Sequence, residues 1–425
     1  MITSLPKRFG LGNRIKYALL KLALQEASSA GRWIRAAMPR FGIRLSVLVP
    51  QLWLDAWPGP RRHPLKPAEP SAACAPRDLG NAEHLIPVDA PAVELWLVDN
   101  ACVCAHSSSV FQADSGLIIE RAQGTQPNDY RYDAGHIVRH DDGTAKLRIQ
   151  DIRHLQRGIF VSGNGAGNYY HWLIELLPKL LLLDRLPSEL ADYPLLLSAD
   201  VQVLPTFQQS LQLIATDRDI VYLKPQTSYV VQQLAYINAP CSLPFNLRDG
   251  AQLHSEDCRL SSSLLTTLRQ RALSRLPRDA HSPTASRRLF LARACQRRNY
   301  NQEAVYAVLK AFGFVAICME QLSFDEQVAA IHEAEIVVGP TGAAWTNLLF
   351  ARPGMQALCW MAEEYGDFSA FSTLAGFAGV ALHYLRYSTG ISSTHALYRH
   401  SYEIDPARIR QALEQLGLSD QDGAI

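Results

Sequence analysis

Between Arg288 and Trp360 the chain alternates strand and helix signals so regularly that a parallel sheet flanked by helices is the fold that accommodates it. Arg288-Leu289-Phe290-Leu291-Ala292-Arg293 reads as a strand, Gln302 to Phe312 as a helix closed by Gly313, and Val315-Ala316-Ile317-Cys318 as the next strand. Ser323 with Glu326 forms a capping box that opens a helix over Phe324 to Glu333, and the strand Ile336-Val337-Val338 follows. Gly339-Pro340-Thr341-Gly342-Ala343-Ala344 then turns into a helix running to about Phe350. Arg352-Pro353-Gly354 stops that helix before a strand near Gln356 to Trp360. The repetition predicts a doubly wound α/β domain.

In such a domain ligands sit beyond the carboxyl ends of the strands, where helix N-termini present free N–H groups and partial positive charge. Thr341, Gly342, Ala343 and Ala344 occupy that place, and their small size lets a phosphate oxygen reach the main chain. Arg293, at the end of its own strand, matches phosphate geometry, with Arg297 and Arg298 close behind it. Each arginine alone would equally suit a solvated basic edge; together they favour an anionic ligand.

The N-terminal half holds a second candidate. Gly158-Ile159-Phe160-Val161 reads as a short buried strand, followed by a turn carrying Gly163, Gly165 and Gly167 and by a helix over Asn168-Tyr169-Tyr170-His171-Trp172-Leu173-Ile174-Glu175-Leu176-Leu177-Pro178-Lys179. His171 and Glu175 lie one helical turn apart on one face, whereas Leu173, Leu176, Leu177 and Leu180 form a packing stripe on the other. Pro178 removes a helical hydrogen bond and predicts a bend in the axis. This suits a cleft wall bearing two titratable groups; an amphipathic helix with a solvated His/Glu pair is the competing reading.

The two halves together resemble glycosyltransferase family 61. Tyr169 to Lys179 is similar to the family's Tyr-Tyr-His-Trp helix, and Gly339 to Gly354 to its Gly-Pro-x-Gly-Ala block. Arg288 to Arg298 and Leu322-Ser323-Phe324-Asp325-Glu326-Gln327 match two further segments in the same order, so the resemblance spans roughly residues 95 to 390. It implies a GT-B-like architecture of two facing Rossmann-like domains and an inverting, metal-independent transfer from a nucleotide-sugar donor to a glycan or lipid-linked glycan acceptor in polysaccharide biosynthesis. Glu175 is then the candidate base, with His171 orienting it, contacting the acceptor, or itself serving as base. Arg293, Arg298, Thr341, Gly342, Ala343, Ala344 and Asn347 are expected on the donor, and Asn168, Tyr170 and Trp172 on the acceptor side; for Asn347 a structural cap or interhelix hydrogen bond is the competing reading. Many members carry His where Thr341 stands and Glu where Cys359 stands; Glu363 or Glu364 is the expected replacement for the latter. The alternative is a catalytically degenerate nucleotide-sugar or glycan-binding protein of the same fold. A hydrolase is disfavoured because no Gly-x-Ser-x-Gly elbow is present.

A formal charge of +1 over 425 residues gives no reason to expect a nucleic-acid partner, and 48% hydrophobic content supports two sizeable cores. Eight scattered cysteines do not form a disulfide framework. Cys102-Val103-Cys104 with His106 has metal-ligand residue types but also the alternation of a strand, and no second cysteine pair completes it, so no metal or cofactor is expected. Asp217-Arg218-Asp219 is expected to be a surface turn rather than a metal-diphosphate clamp.

The N-terminal region lies outside the resemblance. Glu26 is its single acid before residue 50, against nine basic residues, and Ile15, Leu19 and Leu22 form an apolar helical stripe. This composition suits peripheral attachment to an anionic membrane surface, with a basic helix packed on the catalytic domains as the competing reading. No run reaches the ~20 apolar residues of a spanning helix, and no convincing cleavable signal is present. A cytoplasmic protein, peripheral on the inner face of the cell membrane, is expected. The expected divisions are a basic helical extension with a Pro-rich linker over 1–84, an acceptor-side domain with an extra β element over 85–276, a nucleotide-sugar-binding domain over 288–400, and a terminal helix and tail over 401–425.

Overall fold

A computed structural model describes residues 9–59, 61–122, 129–244, 246–248, 250–276, 286–294, 299–391 and 393–420. The chain forms two compact units. The first comprises Met1–Ala68, Pro91–Gln208 and Ile214–Pro240, and the second Glu69–Ala90, Gln209–Leu213 and Cys241–Ile425.

The first unit is built on an eleven-stranded sheet. Ile220–Leu223, Leu195–Ser198, Ile152–Phe160 and Ser228–Ile237 lie side by side in that order and run parallel, with Ile159 opposite both Leu195 and Ala235. By chain order this is 3-2-1-4, which puts the topological switch beside the strand that enters the glycine turn. Ser228–Ile237 then pairs antiparallel with Val93–Cys104, and the sheet continues through Ser109–Gln112, Gly116–Ile119, Leu45–Trp53, Thr144–Ile149 and Ile137–Asp141. Its core includes stacked Phe160–Tyr236 and Trp57–Trp96 pairs, with centroids 5.9 and 5.8 Å apart.

The extra β element continues the parallel sheet of this unit. The stretch expected to be a helical extension and linker is helical only in part. Helix α1 (Leu11–Leu24) and helix α2 (Ser29–Arg40) are followed by the strand Leu45–Trp53, which sits inside the sheet between Gly116–Ile119 and Thr144–Ile149. Arg61–Lys66 pairs with Val93–Cys104, and Glu69–Cys74 forms a hairpin with Leu85–Ala90 in the second unit.

The second unit follows its sequence signals closely. Five parallel strands lie in the order Val315–Ile317, Arg288–Leu291, Ile336–Pro340, Gln356–Ala362, Ala381–Tyr387. By chain order this is 2-1-3-4-5, with the switch between Arg288–Leu291 and Ile336–Pro340. The helix Gln302–Ala311 ends before Gly313 (φ +78°), and Ser323 and Glu326 cap the helix Phe324–Glu333 reciprocally. The terminal helix Pro406–Gln415 packs on Gln302–Ala311 within this unit, anchored by the Asn301 amide against both backbone groups of Ile404. The stretch 277–287 between the two expected domains lies largely outside the described residues.

Candidate active site

In the first unit the glycine turn leaves the carboxyl end of Ile152–Phe160. Asn164 is pinned to Ser108 by two hydrogen bonds, from the Ser108 amide (3.1 Å) and to the Ser108 hydroxyl (2.9 Å). Gly165 has φ +68°, and a Cβ there would lie 2.3 Å from the His171 ring, so the imidazole packs directly on bare backbone. Asn168 then opens the helix, its side chain accepting from the Tyr170 amide at 2.9 Å.

The expected bend takes the form of a change in helical pitch. His171–Leu176 is a π-helical turn in which the Leu177 amide reaches back five residues to the Trp172 carbonyl, and Leu177–Arg185 tightens to 3₁₀ geometry. Pro178 explains the break, because it has no N–H to offer Ile174. Wide turns of this kind recur at functional sites.

His171 Nδ1 is hydrogen-bonded to Glu175 Oε2, as the spacing predicts. The pair is buried rather than solvated: the residues are only 8% and 9% exposed. A buried His–Glu pair satisfies its own polar groups and holds a proton between two atoms of defined position. Beneath it lies Lys179, fully buried, its ammonium over the Tyr236 ring (5.8 Å) and without a hydrogen-bond partner. Burial pushes this ammonium down from the usual lysine range, opposed by the carboxylates of Glu120 and Glu175.

Of the expected acceptor-side residues, Asn168 is exposed, whereas Tyr170 and Trp172 are buried. Trp172 stacks on Phe207 (5.4 Å, 7°), so it is a core ring rather than an open platform. A second polar pair flanks the same turn. His106 Nε2 lies 2.5 Å from Asp200 Oδ2, and the Ser198 hydroxyl donates to that oxygen at 2.5 Å. Partial burial raises the Asp200 carboxyl, but the bonds from Ser198 and His106 outweigh it and hold the group below its usual range. A Cβ at Gly167 would touch Asp200 at 3.4 Å, so His171 and Asp200 contact one turn two residues apart. In sequence His106 stands out only as a metal-ligand candidate; its partner Asp200 is 94 residues away. Among the described residues, no group of three or more His, Cys, Asp or Glu is arranged to hold a metal. Asp217 and Asp219 are exposed and precede the strand Ile220–Leu223, at the end of the sheet opposite the glycine turn.

In the second unit the expected donor residues gather at the switch point. Arg293 donates from Nη2 to the Thr341 carbonyl (2.6 Å), and Gln302 fixes the Arg293 backbone through both its amide atoms. Gly342 is 3.8 Å from the same guanidinium nitrogen at its built Cβ position, and Gly342, Ala343 and Ala344 are half-buried at the start of the 3₁₀ helix Ala343–Phe350. Thr341 itself is buried. Asn347 is fully buried and donates to Gln327 (2.9 Å) and the Ala344 carbonyl (3.2 Å), which makes it a strut for this helix instead of a direct donor contact. Arg298 lies outside the described residues.

Glu364 stands at the carboxyl end of Gln356–Ala362. Its Oε1 accepts from the amides of Thr389 and Gly390, each at 2.6 Å, while Oε2 is buried without a hydrogen-bond partner. Cys359 is buried within the strand. Beside Arg293, Tyr300 stacks on Tyr402 (5.2 Å), which stacks on Tyr387 (4.3 Å), an aromatic run whose members lie far apart in sequence.

The Glycosyltransferase 61 family model matches residues 169–358. The matched span begins at the aromatic start of the His171 helix and ends inside Gln356–Ala362, so it contains His171, Glu175, Arg293 and Thr341 and omits α1, α2 and most of the eleven-stranded sheet. No curated protein matches the chain. The family match supports a glycosyltransferase.

Proposed function

We propose that this chain is an inverting, metal-independent glycosyltransferase that moves a sugar from a nucleotide-sugar to a glycan or lipid-linked glycan in polysaccharide biosynthesis. The supporting observation is that each unit carries reactive groups at the topological switch of its own sheet: a buried His–Glu pair in the first, an arginine laid on a small-residue turn in the second. The first unit supplies the base. Glu175 takes the proton of an acceptor hydroxyl, with His171 fixing its orientation, and the freed oxygen attacks the anomeric carbon as the bond to phosphate breaks. The second unit receives the leaving nucleoside diphosphate, whose growing charge meets Arg293 and the N–H groups of Gly342 to Ala344. The unpartnered Oε2 of Glu364 is an acceptor suited to a ribose hydroxyl. A guanidinium and backbone N–H groups supply the positive charge that a divalent ion would otherwise bring.

Calorimetric titration of the full chain with UDP, GDP and CMP in EDTA tests the donor half. Micromolar binding of one nucleotide is expected; binding that appears only when a divalent cation replaces EDTA would overturn the metal-independent reading. The anomeric configuration of the product, read by NMR, tests the single displacement, and retention would exclude it.

A further inference from the structure

The exposed apolar surface of this protein is concentrated at its N-terminus. Among the described residues, seven of the ten large hydrophobic side chains that stand exposed precede residue 44. Leu11, Ile15, Leu19 and Leu22 recur at helical spacing along one face of α1, with Leu11 73% and Ile15 54% exposed. The opposite face of α1 is held firmly: Tyr17, Leu20 and Ala23 are buried, the Asn13 side chain bonds both backbone groups of Leu48 at 2.8 Å, and the Tyr17 hydroxyl donates to Ala113 at 2.7 Å. The apolar row therefore belongs to a fixed helix with one face already used. Trp33 on α2 is 74% exposed and Phe41 after it 67%.

The residues among these side chains decide what would cover them. Arg14, Lys16, Arg32, Arg40 and Arg44 are all exposed, and Glu26 is the single acid before residue 50. A second copy would set this basic surface against itself. An anionic lipid surface instead neutralises the cations while its acyl boundary takes the leucines, and exposed Trp and Phe suit the headgroup layer. No helix among the described residues is long and apolar enough to cross a membrane, which leaves α1 lying in the surface plane.

We infer that α1 and the start and end of α2 form a docking face for anionic membranes, through which the protein binds the lipid surface peripherally. The inference is independent of the sugar-transfer reading. Flotation of the full chain with vesicles of phosphatidylcholine alone, or with about one third phosphatidylglycerol, tests it; recovery with the anionic vesicles should exceed recovery with the neutral ones roughly tenfold and fall in high salt. The double substitution Ile15→Glu/Leu19→Glu should abolish recovery, and Arg14→Glu/Lys16→Glu should remove the preference for anionic lipid. Leu85→Glu, an exposed leucine of the second unit, should change nothing. All four positions replaced in the docking face are exposed, so unchanged circular dichroism is expected and separates lost docking from lost folding. Equal recovery of the Ile15→Glu/Leu19→Glu variant would overturn the inference. So would a concentration-dependent dimer that this variant dissolves, because it would assign the face to a second copy.

Discussion

A carboxylate enclosed beside an imidazole has its lone pair aimed by the hydrogen bond between them, and Glu175 is held in that way by His171. Glu175→Gln keeps the shape and removes the proton acceptor. Transfer should fall by about 10²–10⁴-fold in kcat, the range of a single general base. Nucleotide affinity, which the proposed function assigns to residues of the second unit, should stay unchanged in the titration; retained turnover would move the base to His171 or to His106. The placement of His171, Glu175, Arg293 and Thr341 was legible because each sits at a local landmark, a glycine turn or the end of an apolar strand. The burial of Trp172 and Asn347 was not legible. Their motif positions are unremarkable, and they pack on Phe207 and bond Gln327 respectively, partners that local periodicity does not reveal. Lys179 carried no signal of burial at all, since a lysine after a helix proline is ordinarily solvated.

The glycine turn is where element geometry acts on the site, and its glycines are not equivalent. Gly165→Ala would place a methyl group against the His171 ring in a left-handed conformation that alanine resists, a cost of about 1–2 kcal/mol before any clash. It should lower the thermal midpoint and reduce transfer at least tenfold by displacing His171. Gly167→Ala meets Asp200 at an ordinary contact distance without a positive φ, so stability should change by less than about 0.5 kcal/mol and initial rates should remain near wild type. Similar losses from both substitutions would show that the turn as a whole, rather than the His171 contact, governs activity. Elements of the second unit were legible nearly to the residue because capping boxes, C-cap glycines and apolar runs are local signals. The strands Leu45–Trp53 and Arg61–Lys66 were not. Pro50 and Pro64 mark them as breaks, yet Pro50 falls at the end of its ladder and Pro64 beside a register shift, positions where a strand tolerates proline.

At the scale of the whole molecule, one buried and three half-buried histidines set a direction for its response to acid. His136 is buried in the first unit, with Nε2 3.3 Å from the Ser109 hydroxyl and Nδ1 without a partner, and burial holds it down to about 4 from 6.5. Burial also lowers His154 in the first unit, reinforced by Arg35, and lowers His332 and His383 in the second. In each case the unfolded chain binds a proton more readily than the folded one. Stability is therefore full above the unfolded value and is lost as pH falls through the window below it. For His136 the shift from 6.5 to about 4 corresponds to a loss of about 2 kcal/mol between roughly pH 7 and pH 5. His136→Gln keeps a polar group near Ser109 and cannot titrate, so urea unfolding at those two pH values should show wild type losing about 2 kcal/mol more than the variant. Parallel losses in the two proteins would mean that His136 is protonated in the folded state and that the acid response originates elsewhere.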